Sequence, residues 1–189
     1  MVAGPLVGVL ALQGAFAAHR RVMEELGART REVRVVADLE GVDGLVLPGG
    51  ESTTMSLAVE REGLAEPIRA LAARGAPLLG TCAGLIMLDR EHLGVMDILA
   101  RRNAFGRQVR SFEADLEFLD LEGGPVHAVF IRAPWIAEHG PGVELLASVD
   151  GHPVAARAGN VTVLSFHPEL GTDTRLHERF LADVRAFTG

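Results

Sequence analysis

The chain has 189 residues, 48% of them hydrophobic, and a formal net charge of −7. That length suits one domain with a sizeable core, and the acidic balance argues against a nucleic-acid partner, which needs a clustered basic surface. No segment offers the roughly 20 consecutive apolar residues of a membrane span, and a single cysteine excludes an internal disulfide, so a cytoplasmic setting is expected.

The first residues, MVAGPLVGVLALQG, lack the basic opening of a secretory signal and read instead as a buried strand, Leu6 to Leu12, with its loop. Ala15 to Leu26 has helical spacing and stops at Gly27, a residue type suited to a helix C-terminus. Thr30 to Val36 alternates as a strand does, and Gly44 to Leu47 is a second apolar strand running into Pro48-Gly49-Gly50. A helix is expected after Ser52, whose hydroxyl would cap the first turn, and another over Ala65 to Ala73, stopping at Gly75. A short strand, Pro77 to Gly80, meets the cysteine, and a helix follows from Ala83.

Strands and helices alternate through this half, which implies a parallel sheet with helices on both faces. The second half is richer in strands: Asp115 to Leu121, Val126 to Ile131, Val143 to Val149, Pro153 to Ala158 and Val161 to Phe166. Asp150-Gly151 and Gly159-Asn160 supply hairpin turns, and a last amphipathic helix spans Thr174 to Phe187. No repeat, linker or low-complexity stretch divides the chain, so residues 1–189 read as a single α/β domain with a mixed, mostly parallel sheet.

All 18 basic residues are arginine, so no lysine is available to form a Schiff base with a carbonyl compound. The lone Cys82 sits in Gly80-Thr81-Cys82-Ala83-Gly84, the spacing of a nucleophile on a strand-to-helix elbow. Glycines on both sides suit strained backbone angles and close contact between strand and helix. The sulfur would then face the positive end of the next helix, which favours a thiolate over a thiol with an ordinary pKa of about 8.5. The competing reading is a small, inert core cysteine.

A cysteine nucleophile needs a base and a group to orient it. His19 falls in a predicted helix beside arginines, and His139, His152 and His177 have polar neighbours, so these four read as solvated. His92 and His127 carry no decisive signal. His167 ends the strand Val161 to Phe166 and is followed by Pro168-Glu169. Strand ends are where functional groups collect in parallel sheets, and Glu169 could hold the imidazole tautomer as the acid of a hydrolase triad does. Pro48-Gly49-Gly50-Glu51-Ser52 leads from strand to helix and could turn amides toward an oxyanion at the same edge, although Gly-Gly after a strand is usually only a turn.

With these elements in this order the chain resembles the class I, triad-type glutamine amidotransferases. LALQGAFAAH (10–19), LPGGESTTM (47–55), GTCAGLIML (80–88), RNAFGRQVRSFEADL (102–116), FIRAP (130–134) and SFHPEL (165–170) narrow the likeness to the glutaminase-subunit family of pyridoxal 5′-phosphate synthases. The Gly-Cys-Gly and His-Pro-Glu elements mark only the superfamily; the LQG, GGESTTM and RNAFGRQ stretches are more specific.

The resemblance implies hydrolysis of L-glutamine to L-glutamate and ammonia. The ammonia would pass to a separate synthase (lyase) subunit, in a large hetero-oligomer serving vitamin B6 biosynthesis. Imine-forming steps would belong to that partner, consistent with the missing lysine. Carried over by position, Cys82 is the nucleophile and His167 and Glu169 complete the triad. Gly50 and Ala83 supply oxyanion amides, and Gly50, Glu51, Ser52, Arg102, Ile131 and Arg132 contact the substrate. Neither a cofactor nor a metal is expected. The family also implies a glutaminase held weakly active until the synthase docks and rearranges Gly49-Gly50. One departure stands out: Asp89-Arg90-Glu91 leads directly to His92-Leu93-Gly94, where the family usually has a longer loop.

Three other readings remain: a glutaminase for another synthase, such as those of imidazole glycerol phosphate or guanylate; a non-catalytic binding relative; and a cysteine peptidase or esterase using the same elbow.

Overall fold

The computed structural model describes residues 4–102 and 111–188. Its centre is a seven-stranded sheet in the order β2-β1-β3-β4-β11-β10-β9, with β1 at Leu6–Leu10, β2 at Arg29–Val33, β3 at Gly44–Leu47, β4 at Leu78–Thr81, β9 at Glu144–Val149, β10 at His152–Ala158 and β11 at Val161–Leu164. The pairs β1–β2, β1–β3, β3–β4 and β4–β11 are parallel, while β10 runs antiparallel to both its neighbours. The mostly parallel mixed sheet expected from the sequence is therefore the one that forms.

Alternate residues of the central strands feed two cores. Leu45, Leu47, Leu78 and Val163 enter one cluster with Met55, Ile68 and Leu85, which come from helices α2 (Ser52–Arg61), α3 (Ala65–Ala73) and α4 (Ala83–Leu88). Val46, Leu79 and Leu164 enter the other with Met23 and Phe180, from α1 (Phe16–Glu25) and α5 (Arg175–Thr188). Strand side chains point to opposite faces in turn, so a strand buried on both faces reads as a continuous apolar run. Each fully buried Leu or Val stabilises the fold by about 1.5–3 kcal/mol before entropy is counted.

Several boundaries differ from expectation. β1 stops at Leu10, before the Gln13-Gly14 turn, where Gly14 has a φ of +93°. β2 stops at Val33 because Asp38 accepts hydrogen bonds from the amides of Arg34 (2.9 Å) and Val35 (3.0 Å) and folds Val36–Leu39 into a 3-10 turn. The α2 cap is Glu51 rather than Ser52: its carboxylate accepts from the Thr53 and Thr54 amides at 3.0 and 2.8 Å, two donors that a single hydroxyl could not both reach.

In the second half, the strand expected at Asp115 to Leu121 lies earlier, as β6 at Ser111–Leu116, paired with β7 at Val126–Ile131. A further ribbon, β5 (Ile98–Arg101) with β8 (Trp135–His139), was not expected at all. The Asp150-Gly151 hairpin turn holds as read, with both residues at positive φ, 49° and 76°.

The shortened segment after α4 closes on Asp89. This carboxylate is 1% exposed and accepts from the amides of Glu91, His92 and Ala100 and from the His92 ring. Among the described residues no helix is long and apolar enough to cross a membrane.

Candidate active site

The carboxyl ends of four parallel strands converge at one edge of the sheet. After β1 comes Gln13-Gly14, after β3 Gly49-Gly50, after β4 Cys82, and beyond β11 His167. β1 lies between β2 and β3, so the crevice opens where strand order reverses, the usual ligand position of an open α/β sheet. A cavity of about 390 Å³ sits there, within the range of small-molecule sites. Its walls include Gly50, Glu51, Ser52, Cys82, Ala83, Arg102, Ile131, Arg132 and His167. Every site residue expected from the sequence lines this one cavity except Glu169, which stands behind His167.

Cys82 occupies the strained elbow. Its φ of 49° and ψ of −105° lie where side-chain-bearing residues rarely go. Gly80 and Gly84 play a different part. Neither has a positive φ, but a Cβ on Gly84 would lie 1.9 Å from the Leu47 carbonyl oxygen, and one on Gly80 2.7 Å from that of Gly84. The glycines let β4, α4 and β3 approach, while the strained angle falls on the cysteine itself. That angle leaves the sulfur at the mouth of α4, 3.8 Å from the Ile131 carbonyl oxygen.

His167 faces Cys82 across Gly49. A Cβ on Gly49 would come within 2.4 Å of His167 Cε1 and 3.3 Å of the Cys82 Cβ, so only glycine fits between them. His167 Nδ1 lies 2.7 Å from Glu169 Oε1, and both side chains are buried. Burial disfavours a charged imidazole, but the Cys82 side chain and the Glu169 carboxylate outweigh it and push His167 up to about 10. Burial likewise opposes ionisation of Glu169, yet His167 and His19 hold its carboxyl far below the usual carboxylate range. A thiol beside an imidazole–carboxylate pair can attack an acyl or amide carbon and carry it as a thioester.

The glycine loop is pinned from the opposite wall. The Gly49 carbonyl accepts from the Ala15 amide at 3.0 Å, and Gln13 Oε1 accepts from the Glu51 amide at 2.7 Å. At the rim, Arg102 reaches Thr53 Oγ1 at 2.9 Å and Glu51 Oε1 at 3.3 Å, and also contacts the Ser52 hydroxyl. The Thr54 hydroxyl and amide, followed by the Thr53 amide, bring Glu51 down to about 2, so the rim carries a fixed anion beside a fixed cation. Arg132 takes a φ of 44° directly after β7. The RNAFGRQ motif lies outside the described residues beyond Arg102.

Two histidines overturn the solvated reading. His19 and His177 are fully buried. His19 Nδ1 is 3.0 Å from His177 Nε2, and His19 Nε2 is 3.1 Å from Thr81 Oγ1 and 3.2 Å from Glu169 Oε2. Arginines beside His19 and polar neighbours of His177 mislead because successive helix residues turn by about 100° and face different surroundings. The available signal was helical spacing: His19 shares a buried face with Val22 and Met23, and His177 with Phe180, Leu181 and Val184.

Open parallel sheet, cysteine elbow and imidazole–carboxylate pair together define the fold of class I glutamine amidotransferases. Among solved structures, a crystal structure of a glutamine amidotransferase matches with TM-score 0.89 and 46% identity, over 95% of this chain and 98% of that one. PurLQS from Thermotoga maritima shares the fold at TM-score 0.74 with 19% identity, over 97% of each chain.

The SNO glutamine amidotransferase family matches residues 9–186, and the chain belongs to that family. It is 50% identical over 195 residues to the pyridoxal 5′-phosphate synthase subunit PdxT of Mycolicibacterium vanbaalenii, covering 97% of this chain and 100% of that protein. With the PdxT of Corynebacterium jeikeium it shares 53% over 190 residues, covering 95% and 97%.

Proposed function

We propose that the chain hydrolyses L-glutamine to L-glutamate and ammonia and delivers the ammonia to the synthase subunit of a pyridoxal 5′-phosphate synthase. Near-full-length identity of about 50% with PdxT subunits supports this pathway assignment. One observation carries the chemistry: Cys82 and His167 line a cavity walled by glycines, with Glu169 against the far side of the His167 ring.

His167 takes the Cys82 proton, and the thiolate attacks the side-chain amide carbon of glutamine. The resulting oxyanion is met by the amides of Gly50 and Ala83. His167 returns its proton to the departing ammonia, leaving a γ-glutamyl thioester. Water, deprotonated by His167, then cleaves the thioester and releases glutamate and the free thiol. Glu169 holds His167 Nδ1 protonated and stabilises the imidazolium of each step.

Arg102 suits the α-carboxylate of an amino-acid substrate, and Glu51 suits its α-ammonium. Ser52 and the backbone at Ile131-Arg132 complete the contact set. The whole of 1–189 acts as one glutaminase domain, and a cytoplasmic location suits its free thiol.

Pinning of Gly49 by Ala15 supports a gate. The Gly49-Gly50 peptide cannot turn without breaking that hydrogen bond, and docking of the synthase would supply the force within a large hetero-oligomer. Glutamate release from glutamine, assayed with and without the synthase subunit, tests the reading. Turnover that rises with the partner and vanishes in Cys82→Ala is expected; a fully active Cys82→Ala variant would sink it, and equal rates with and without partner would remove the gate.

A further inference from the structure

The triad does not end at Glu169. Its Oε1 faces His167 and its Oε2 faces inward, with no exposure, where His19 Nε2 lies 3.2 Å away. That contact is a close approach and not a hydrogen bond; among the described residues the hydrogen-bond partner of His19 Nε2 is Thr81 Oγ1 at 3.1 Å. Two facts fix the protons. A carboxylate oxygen is acceptor-only, so an unprotonated Nε2 at this distance would set lone pair against lone pair in a dry site. His19 Nε2 therefore carries a proton.

The second fact lies one step deeper. Among the described residues Nδ1 of His177 has no hydrogen-bond partner, whereas Nε2 of the same ring lies 3.0 Å from His19 Nδ1. A buried N–H without an acceptor is costlier than a buried lone pair without a donor. The His177 proton thus sits on Nε2 and is donated to His19 Nδ1. Burial pushes His177 down to about 3, so it stays neutral. The protons then follow one order: His177 Nε2–H is donated to His19 Nδ1, His19 Nε2–H lies between Thr81 Oγ1 and Glu169 Oε2, and His167 donates to the carboxylate from the other side.

We infer that His19 is a positioning residue, a buried second support that keeps the Glu169 carboxylate turned toward His167, with its own tautomer set by His177. This rests on the glutaminase reading above. The groups facing His167 are Cys82 and Glu169, with Arg132 on the same cavity wall and His19 and His177 behind. With His19 removed, Oε2 is a bare buried anion that rotates or takes up a proton, and the imidazolium loses its partner.

The test uses the complex with the synthase subunit and compares His19→Phe, which fills the space, with His19→Gln, which keeps a donor. We expect kcat for His19→Phe to fall about tenfold with KM unchanged, the effect of losing one close polar contact to a buried carboxylate. The alkaline limb of its pH profile should move to lower pH, and the pH dependence of Cys82 alkylation in the isolated chain should move with it. His19→Gln should recover most of both.

A folded His19→Phe with wild-type kcat and an unmoved limb overturns the inference, as does equal loss in both variants, which would indicate packing alone. If His19→Phe does not fold, His177→Leu carries the test through a smaller shift in the same direction, and no shift there also overturns it. A wild-type complex that releases no glutamate defeats the glutaminase reading instead.

Discussion

The front and the back of the candidate site are built by opposite means. In front, the walls are backbone: Gly49 wedged between His167 and Cys82, a cysteine at φ 49°, a carbonyl pinned by the Ala15 amide. Behind lie two fully buried histidines, His19 and His177, that reach the carboxylate through ring nitrogens. Space is the constraint in front, and a methyl group is enough to violate it. Proton placement is the constraint behind, where a change of donor matters more than a change of volume. Substitutions should therefore separate the two regions by the quantity they alter.

The largest effect is expected at Gly49→Ala. Its new Cβ would stand 2.4 Å from His167 Cε1 and 3.0 Å from Nδ1, so the ring must leave its place against Glu169. Loss of a positioned acid–base group predicts a kcat lower by about a thousandfold with little change in melting temperature. Near-normal turnover would show that the ring has slack. Gly84→Ala should do the reverse: the added carbon meets the Leu47 carbonyl oxygen at 1.9 Å, backbone against backbone. About 3 kcal/mol of stability should be lost in denaturant unfolding, because strand and helix must separate. An unchanged denaturation midpoint would contradict the close approach at the elbow.

Glu169→Gln probes the seam between the regions. A carboxamide can still accept from His167 through its oxygen, but its NH2 then faces His19 Nε2–H, a donor against a donor. Relief requires the His19 proton to move to Nδ1, which in turn displaces the proton of His177. The negative charge that stabilises the imidazolium is lost in any case. We expect kcat reduced about a hundredfold, with the alkaline limb of activity moved to lower pH than in the native protein, where, against burial, the Cys82 side chain and the Glu169 carboxylate raise His167. An activity profile of native shape would mean that the carboxylate does not govern His167.

The same division explains how far the sequence could be read. The front was visible because its requirements are local: a cysteine between glycines at a strand end, a Gly-Gly turn, a histidine two residues from a glutamate. Which strand ends meet then follows from the parallel alternation of β and α elements. Arg102, Ile131 and Arg132 are legible only through family resemblance, since nothing in an arginine before a turn marks a wall of this cavity.

The back was misread because its order is tertiary. His19 and His177 are 158 residues apart and touch only when α1 and α5 pack on the same face of the sheet. The ribbon of β5 and β8 escaped for a related reason. Its strands are four and five residues long, with few buried positions, so pairing across a long separation makes the strand rather than local alternation.

The smallest predicted effect, on stability and not on chemistry, isolates the back most cleanly. His177 is depressed to about 3 in the folded chain against an ordinary 6.5, with burial as the main cause. Below pH 6.5 the unfolded chain therefore binds a proton that the folded chain refuses, and stability falls as pH falls, by at most about 1.4 kcal/mol per pH unit. His167 and His127 are both raised, so their stabilising contributions are fully present below 6.5 and add no slope there. Glu169 is lowered, and its contribution is lost only on further acidification, below its ordinary 4.5.

The window from pH 6.5 to 5 thus belongs mainly to His177. Thermal unfolding should show the wild-type midpoint dropping by roughly 4–8 °C across it, the equivalent of about 2 kcal/mol for a chain of this size. His177→Leu should hold its midpoint nearly level over the same range, whatever its absolute value. Parallel curves for the two proteins would mean that the His177 ring is not kept neutral by its burial, and the proton order assigned to the back of the site would go with it.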